Sequence, residues 1–290
     1  MSFITRFAPS PTGFLHLGHA YSAILAHDAA RAAGGEFLLR IEDIDAARCR
    51  PEFETAIHDD LAWLGLRWPT PVRRQSEHLA AYAAVLERLN TLGVVYRCFL
   101  TRKEIVALSL SAPHTPGEGS DGVVYAGPVQ HMSADEEEDR ISRGEPFAWR
   151  LSIRYSQDLL GEDFARLGFV ERDEGSNTEH MVTARPALLG DVILGRKDTP
   201  TSYHLSVTHD DALQGVTHVI RGEDLRASTH VHVLLQRLLG LPTPVYMHHH
   251  LLTGPDGKRY AKRDQSLTLA ALRQAGAYPA EIRARIGLPA

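Results

Sequence analysis

Fourteen consecutive residues near the start of the chain decide its fold, and they read Arg6-Phe7-Ala8-Pro9-Ser10-Pro11-Thr12-Gly13-Phe14-Leu15-His16-Leu17-Gly18-His19. Residues 3–5, Phe3-Ile4-Thr5, predict a short buried strand before this stretch, and the alanine-rich residues 20–33 predict a helix after it. Two prolines and a glycine break the strand and leave a rigid turn. The sequence therefore predicts a strand, a turn and a helix in that order.

The turn predicts a site for a phosphorylated ligand. His16 and His19 are three residues apart at the mouth of the helix, so both imidazoles face one side. Gly18 removes a side chain where a flat group can pack against the backbone. The N–H groups of a helix start, with imidazoles nearby, suit a phosphate. A histidine pair at this spacing is by itself more often exposed or bonded within the protein, so the prediction depends on the whole stretch.

Length and composition are those of a globular protein with a sizeable core. The chain has 290 residues, is 43% hydrophobic and carries a formal net charge of −5. This charge excludes a global basic field, so a nucleic-acid partner has to use a local patch. Only Cys49 and Cys98 are present, and neither a signal sequence nor an apolar run of about 18 residues occurs. We expect a cytoplasmic protein without a disulfide scaffold.

An acidic cluster follows the next predicted strand, residues 37–41. Ligands of open parallel sheets bind at the carboxyl ends of the strands, which makes Glu42 a candidate binding residue. The alternative is a solvated loop that caps the following helix. Asp43 and Asp45 are expected to pair with Arg40, Arg48 or the backbone.

The middle of the chain predicts structural elements more than chemistry. Pro51 opens a helix through residue 64, and a second helix covers residues 77–92. Arg73 and Arg74 are expected to be solvated. The polar residues 173–179 predict a surface loop or hairpin tip, and the polar–apolar alternation of residues 202–211 predicts a strand.

A second candidate site follows residue 215. The predicted buried strand there ends in Arg221 beside Gly222, where a guanidinium can form a two-pronged bond to a carboxylate. Tyr203 reads by itself as a core ring whose hydroxyl is satisfied locally. His248, His249 and His250 do not predict a metal site, because alternate residues of a strand face opposite ways.

Three parts of the chain resemble the glutamyl branch of the class I aminoacyl-tRNA synthetases. Residues 6–19 match the RFAPSPTGxLHxGH form of the first signature, with its Pro9, and residues 40–45, RIEDID, are similar to the same branch. The second signature, KLSKR, is resembled by Arg259-Tyr260-Ala261-Lys262-Arg263, in which Ala261 replaces the usual serine. The layout of residues 203–225 also resembles the second half of the catalytic fold. The resemblance covers nearly the whole chain.

The resemblance implies a doubly wound parallel α/β core, Rossmann-like, with an inserted mixed α/β subdomain. We expect core halves at residues 1–94 and 184–290, with the insertion at 95–183. ATP, with Mg²⁺, is expected across the turn, with His16, His19 and Lys262 acting on the phosphates and Thr12 and Gly18 in contact with ATP. L-glutamate is expected to bind to Arg6, Ser10, Glu42, Tyr203 and Arg221.

The same resemblance predicts that zinc is absent. Relatives build a zinc site from a Cys-x-Cys pair, a tyrosine and a later cysteine. Cys98 and Tyr125 match two of these positions, whereas Leu100 and Val129 replace the other two ligands. Two ligands cannot hold a zinc ion that needs about four.

The acceptor of the glutamate is predicted from the end of the chain. Only 28 residues follow Lys262 in the 290-residue sequence, too few for the helical anticodon-binding region of a glutamyl-tRNA synthetase. The shorter relatives transfer glutamate to the queuosine base of tRNA(Asp), and we expect this reaction from a monomer. The alternatives are an enzyme that charges a tRNA 3′ end with an anticodon domain on another chain, or a non-catalytic adenylate-binding module.

Overall fold

A computed structural model describes residues 2–111, 124–128, 132–176, 178–196, 199–252 and 268–289. The strands are β1 (Ile4–Phe7), β2 (Glu36–Ile41), β3 (Arg73–Arg74), β4 (Val95–Cys98), β5 (Ala148–Leu151), β6 (Gly168–Arg172), β7 (Glu179–Thr183), β8 (Ile193–Arg196), β9 (His218–Gly222) and β10 (Val245–His249). The helices are α1 (Leu17–Ala32), α2 (Pro51–Trp63), α3 (Leu79–Thr91), α4 (Arg102–Ser111), α5 (Ala134–Ser142), α6 (Ile153–Leu160), α7 (Glu162–Ala165), α8 (Tyr203–Leu213), α9 (Arg226–Leu239), α10 (Leu269–Gln274) and α11 (Pro279–Arg285). Short 3₁₀ turns cover Gln75–His78, Pro186–Leu188 and Glu223–Leu225.

The main sheet is largely parallel. Strand β2 pairs in parallel with β1 and β3, and β10 pairs in parallel with β9 and β6. Two hydrogen bonds join these halves, because Thr217 N donates to Ile4 O at 3.0 Å and Ile4 N donates to Thr217 Oγ1 at 2.8 Å. Strand β7 adds an antiparallel edge. The carboxyl ends of β1, β2, β9 and β10 therefore lie along one edge.

Helices cover both faces of this sheet, as the predicted doubly wound fold requires. Neighbouring residues of a strand point to opposite faces. In β2, Leu38 packs into the core that includes α3, α8 and α9, whereas Phe37 and Leu39 pack into the core that includes α1 and α2. Strands β4, β5 and β8 form a separate antiparallel sheet in the order β4-β5-β8.

Helix α1 begins earlier than predicted, at Leu17, because a histidine caps it. The Nδ1 atom of His16 accepts a hydrogen bond from Gly18 N at 3.1 Å, and His19 Nδ1 accepts one from His16 N at 3.2 Å. Together these bonds satisfy two of the N–H groups that a helix start leaves unpaired. The signature residues themselves therefore set the start of the helix.

The predicted strand over residues 202–211 is wrong, because this segment forms helix α8. Both the polar and the apolar residues of the alternation, from His204 to Thr208, are buried. A helix that is buried on most of its surface carries no 3.6-residue apolar period. The alternation in the sequence therefore did not report a strand.

The prediction that both arginines of β3 are solvated is wrong for Arg73. Its side chain is 14% exposed, and its Nε donates to Asp210 of α8 at 2.9 Å. Arg74 is 46% exposed and pairs with Glu54. Among the residues that the structure describes, none of the helices has the length and apolar character needed to cross a membrane.

We expect Asp210→Ala to lower the free energy of unfolding by about 3 to 5 kcal/mol, because it leaves buried partners unpaired. Asp210 is completely buried and accepts hydrogen bonds from Arg73, Gln75 and Tyr82 at 2.9, 3.0 and 2.8 Å. Urea unfolding measures the change. Asp139→Ala is the control, since this carboxylate is 60% exposed and its removal should cost less than about 0.5 kcal/mol. Equal effects of the two variants would contradict the assignment.

A pH dependence is expected from Asp60 in α2. This residue is buried, and neither side-chain oxygen has a hydrogen-bond partner among the described residues. Arg273 Nη2 lies 3.3 Å from Oδ1 without a well-aligned hydrogen bond. Burial raises the pKa of Asp60 to about 6, although Arg273 opposes the shift. The folded state therefore binds a proton more readily than the unfolded state, and this residue contributes most stability at about pH 4 and least above pH 6.

Asp60→Asn should therefore stabilise the protein at pH 7.5 by about 1 to 3 kcal/mol and flatten the stability profile between about pH 7 and pH 4. Urea unfolding across this range measures both effects. Asp59→Asn is the matched control, because Asp59 is the neighbouring residue and its side chain is 57% exposed. Destabilisation by Asp60→Asn at pH 7.5 would show that the carboxylate has a partner in the native state.

Candidate active site

A cavity of about 330 Å³ opens at the carboxyl edge of the main sheet, between the start of α1 and strands β1, β9 and β10. Open parallel α/β sheets bind ligands at this edge. The structure places seven of the residues singled out in the sequence on the cavity wall, namely Arg6, His16, Gly18, His19, Glu42, Tyr203 and Arg221.

The remaining candidates are placed elsewhere. Ser10 is exposed in the turn after β1, and neither Ser10 nor Thr12 lines the cavity. Pro9 is buried, and its carbonyl oxygen accepts a hydrogen bond from Glu42 N at 3.0 Å, which fixes the backbone of that candidate. Residues 259–263, including Lys262, lie outside the described residues.

The two signature histidines have a defined proton arrangement. Their rings lie 3.8 Å apart, centroid to centroid, and each Nδ1 accepts a backbone hydrogen bond within the helix cap. The hydrogen of each neutral imidazole must therefore be on Nε2. A Cβ atom at Gly18 would lie 3.1 Å from Cε1 of His16, so glycine leaves room for the capping ring. Both histidines are thus oriented as Nε2–H donors, which suits anionic oxygens.

A chain of alternating charges connects two residues of the cavity wall, Arg6 and Glu42, through Arg40 and Asp211 behind it. Arg6 Nε donates to Asp211 Oδ1 at 3.1 Å, and Arg40 Nη1 donates to the same oxygen at 2.8 Å. Arg40 Nη2 in turn donates to Glu42 Oε1 at 3.1 Å. Arg40 is completely buried and the other three residues are nearly so. The network ties the guanidinium of β1 to the carboxylate that follows β2.

The environment shifts the pKa values of the two carboxylates in this network, Glu42 and Asp211, in opposite directions. Burial raises the pKa of Glu42, although Arg40 and Arg6 oppose the shift. Burial also acts to raise the pKa of Asp211, but the two arginines that it accepts bonds from lower it below the ordinary value. Asp211 is therefore the permanent counter-charge, and Glu42 is the carboxylate that gains most from a positively charged ligand.

Arg221, at the end of β9, is held differently. Its side chain is buried at 5% exposure, yet no carboxylate among the described residues forms an ion pair with it. Its Nη1 lies 3.3 Å from the hydroxyl of Tyr203, which accepts this bond and keeps its own hydrogen for a ligand. Burial raises the pKa of Tyr203, so that hydroxyl stays protonated at neutral pH.

Among the described residues, the buried charges of the site sum to one positive charge, and the exposed carboxylate of Asp224 also lines the cavity. Three guanidinium groups, on Arg6, Arg40 and Arg221, face two carboxylates, on Glu42 and Asp211. The buried positive charge favours a ligand with one net negative charge. Because Glu42 also faces the cavity, the arrangement suits a small molecule that carries carboxylates together with an ammonium group.

The hairpin between β6 and β7 reaches the wall of this cavity. Glu174 at its tip accepts a hydrogen bond of 2.5 Å from the hydroxyl of Tyr21 in α1 and one of 2.8 Å from His250 N. On the same wall, Ser22 Oγ lies 2.5 Å from His249 Nε2. The segment predicted to be a surface loop or hairpin tip is a hairpin tip, and it braces α1 against the end of β10.

Sequence reasoning missed the residues that support the wall. Asp211 was not recognised because residues 202–211 were predicted to form a strand. A helix prediction for this segment would have placed Asp211 beside the sheet. Arg40 does not pair with Asp43 or Asp45, which instead bind Ser76 at 2.5 Å and Arg48 at 2.6 Å. No sequence signal distinguished Glu42 from its acidic neighbours as the partner of a buried arginine.

The residues expected to remain from a zinc site lie in and near the antiparallel sheet of β4, β5 and β8. Cys98 is buried, Tyr125 is half-buried beside it and Leu100 is 37% exposed, while Val129 lies outside the described residues. In this region Tyr96 donates to Asp191 Oδ2 at 2.8 Å. Within the described residues, no group of three or more His, Cys, Asp or Glu side chains is arranged to hold a metal.

A family model and named relatives indicate the same enzyme family. Residues 2–288 match the family model described as tRNA synthetases class I (E and Q), catalytic domain. The chain is 50% identical over 287 residues to a glutamyl-Q tRNA(Asp) synthetase of Rhodobacter capsulatus, covering 98% of this chain and all of that protein. It is 42% identical to the protein of the same name from Symbiobacterium thermophilum, covering 94% of this chain and 82% of that one.

A solved structure has the same fold over most of this chain. A glutamate tRNA ligase from Elizabethkingia meningosepticum, in complex with its amino acid, superposes with a TM-score of 0.71 at 27% identity. The match covers 91% of this chain but 52% of that one, so the chain spans about half the length of that ligase. With the family model matched over nearly every residue and the fold shared, the chain belongs to the class I tRNA synthetases of the glutamyl and glutaminyl family.

Proposed function

We propose that the protein activates L-glutamate with ATP and transfers the glutamyl group to the queuosine base of tRNA(Asp). The electrostatics of the cavity carry the first half of this proposal, because the buried guanidinium of Arg221 has no ion-pair partner among the described residues and suits a carboxylate of glutamate. The second half is supported by the 50% identity to the Rhodobacter capsulatus glutamyl-Q tRNA(Asp) synthetase over the full length of that protein.

The amino acid would be bound by charge complementarity. Arg6 and Arg221 lie on the adjacent strands β1 and β9 and hold the side-chain carboxylate, with the Tyr203 hydroxyl as a further donor. Glu42 accepts the ammonium group. The α-carboxylate is then left without an arginine partner, which keeps its oxygen nucleophilic. Ser10 is assigned to the same ligand from the neighbouring turn.

Activation forms a bond between an α-carboxylate oxygen and the α-phosphorus of ATP and breaks the bond from that phosphorus to the bridging oxygen of the β-phosphate. The products are glutamyl-adenylate and pyrophosphate. The Nε2–H groups of His16 and His19, with Lys262, stabilise the negative charge that develops on the phosphates, while Thr12 and Gly18 contact ATP. No side chain acts as a nucleophile, and catalysis consists of positioning and charge stabilisation. Membership of the class I synthetases implies ATP, usually with Mg²⁺, which we assign to the phosphates.

The remaining assignments concern the whole molecule. We assign residues 1–94 and 184–290 to the catalytic core and 95–183 to an inserted subdomain that faces the tRNA and whose last strands, β6 and β7, extend the main sheet. We assign Arg259-Tyr260-Ala261-Lys262-Arg263 to the second signature, which acts on ATP. We infer a cytoplasmic monomer that works without zinc. The formal net charge of the 290-residue chain is −5. We therefore assign tRNA binding to local basic patches and not to the overall charge.

Two measurements test this function. Pyrophosphate exchange into ATP should depend on glutamate and proceed without tRNA, with glutamine and aspartate at least 100-fold less effective in kcat/KM. Labelled glutamate should then be transferred to queuosine-containing tRNA(Asp) even when the 3′-terminal adenosine has been removed. Unmodified tRNA(Asp) is the control and should accept none. Transfer to the 3′ end of tRNA(Glu) would instead assign the protein to 3′-end charging.

Arg221→Leu should lower kcat/KM for glutamate in pyrophosphate exchange by at least about 100-fold, equivalent to about 2.7 kcal/mol, because the side-chain carboxylate loses its charged partner. The KM for ATP should change less than about threefold. Arg143→Leu is the matched control, since that arginine is 56% exposed and caps the C-terminus of α5. An equal loss of affinity for ATP and glutamate would count against the assignment of Arg221.

A further inference from the structure

Among the residues that the structure describes, five groups anchor the guanidinium of Arg221, and none of the five carries a negative charge. Its Nη1 contacts the Tyr203 hydroxyl and His232 Nδ1, both at 3.3 Å. Its Nη2 contacts Leu225 O at 3.2 Å and Thr229 Oγ1 at 2.5 Å, and its Nε contacts His248 Nε2 at 3.4 Å.

The hydrogen count of this cluster fixes both histidines. A guanidinium has only donors, so His248 Nε2 and His232 Nδ1 must each present a lone pair. The ring hydrogen of His248 is therefore on Nδ1, which lies 3.0 Å from Glu171 Oε1. The ring hydrogen of His232 is on Nε2, which lies 3.1 Å from His204 Nδ1. The two imidazoles thus adopt opposite tautomers.

Thr229 supports the same assignment. Its hydroxyl accepts the bond from Arg221 Nη2, so its own hydrogen is available to His248 Nε2 at 2.9 Å. A hydrogen on that nitrogen would leave Arg221 and Thr229 facing a third donor. The carboxylate of Glu171, 3% exposed, determines the tautomer from the opposite side of the ring.

The carboxylate of this cluster, on Glu171, contacts the ring of His248 and not the guanidinium of Arg221. Glu171 is itself paired with Arg226, whose Nη1 lies 3.0 Å from Oε2. Burial lowers the pKa of His248 to about 4, opposed by Glu171, and lowers that of His232 well below the usual value. Both imidazoles are therefore neutral at pH 7. A neutral ring can hold the guanidinium in place, whereas a carboxylate in the same position would also cancel its charge.

We propose that His248, held in its Nδ1–H tautomer by Glu171, is a positioning residue that orients Arg221 without neutralising it. The full charge of Arg221 then remains for the substrate carboxylate. This inference rests on the proposed binding of glutamate by Arg221. It assigns to the paired Glu171 and His248 a role in the affinity for glutamate and none in the affinity for ATP.

The tautomer can be observed directly. In ¹⁵N-labelled protein at pH 7, long-range correlation spectra should show His248 with a protonated Nδ1 and an unprotonated Nε2, assigned by loss of the signals in His248→Gln. In Glu171→Leu the same ring should adopt this tautomer less fully, because only the donors of Arg221 and Thr229 then favour it. A protonated Nε2 or an imidazolium at pH 7 would overturn the inference. This readout requires no activity, so it separates failure of the inference from absence of glutamate-dependent exchange in the unaltered protein.

The kinetic test uses two substitutions at one position. His248→Leu removes the acceptor and should raise the KM for glutamate at least 10-fold, with the KM for ATP changed less than twofold. His248→Gln keeps an acceptor oxygen near the place of Nε2 and should restore the KM for glutamate to within about threefold. His180→Leu is the control, because that ring is 48% exposed on β7. Failure of glutamine to restore the KM, or equal changes for both substrates, would also overturn the inference.

Discussion

Two adjacent aspartates of α8 bind three arginines that come from three neighbouring strands. Asp211 accepts bonds from Arg6 of β1 and Arg40 of β2, and Asp210 accepts one from Arg73 of β3. Buried charges persist only when they are paired and hydrogen-bonded, so none of these five groups can move without exposing another. Helix α8 is therefore fixed across the carboxyl ends of β1, β2 and β3. The position of the cavity depends on this constraint.

The same constraint separates two kinds of arginine in the cavity wall. Arg6 shares the carboxylate of Asp211 with Arg40, so much of its charge is compensated inside the protein. Arg221 receives oriented but uncharged partners, and its charge is left for the ligand. Glu42 completes the pattern as a carboxylate whose burial raises its pKa and which faces the cavity. A preorganised site of this kind holds its charges in place before the ligand arrives, so little reorganisation is needed on binding.

The elements that sequence reasoning predicted well are those whose signals are local. Strand β2 is rich in apolar residues, Pro51 begins α2, and the residues of the first signature lie in the turn and helix start where they were expected. Helix α8 could not be recognised, because burial on most of its surface removed the amphipathic period. Arg73 was expected to be solvated, and its partner lies 137 residues away in the sequence. Such a pairing leaves no trace in the local pattern.

The sequence by itself determined the family, the strand–turn–helix at the start and seven of the residues that line the cavity, because signature motifs and apolar runs are properties of neighbouring residues. Only the tertiary structure decided the protonation and charge of the site. Asp211 meets Arg6 across 205 residues, and Glu171 meets His248 across 77, so their effects arise only when the chain is folded. The chemistry of the fourteen-residue opening stretch therefore depends on residues from the second half of the chain. Hydrogen bonds and pKa shifts reflect distances in space, and the order of residues does not state those distances.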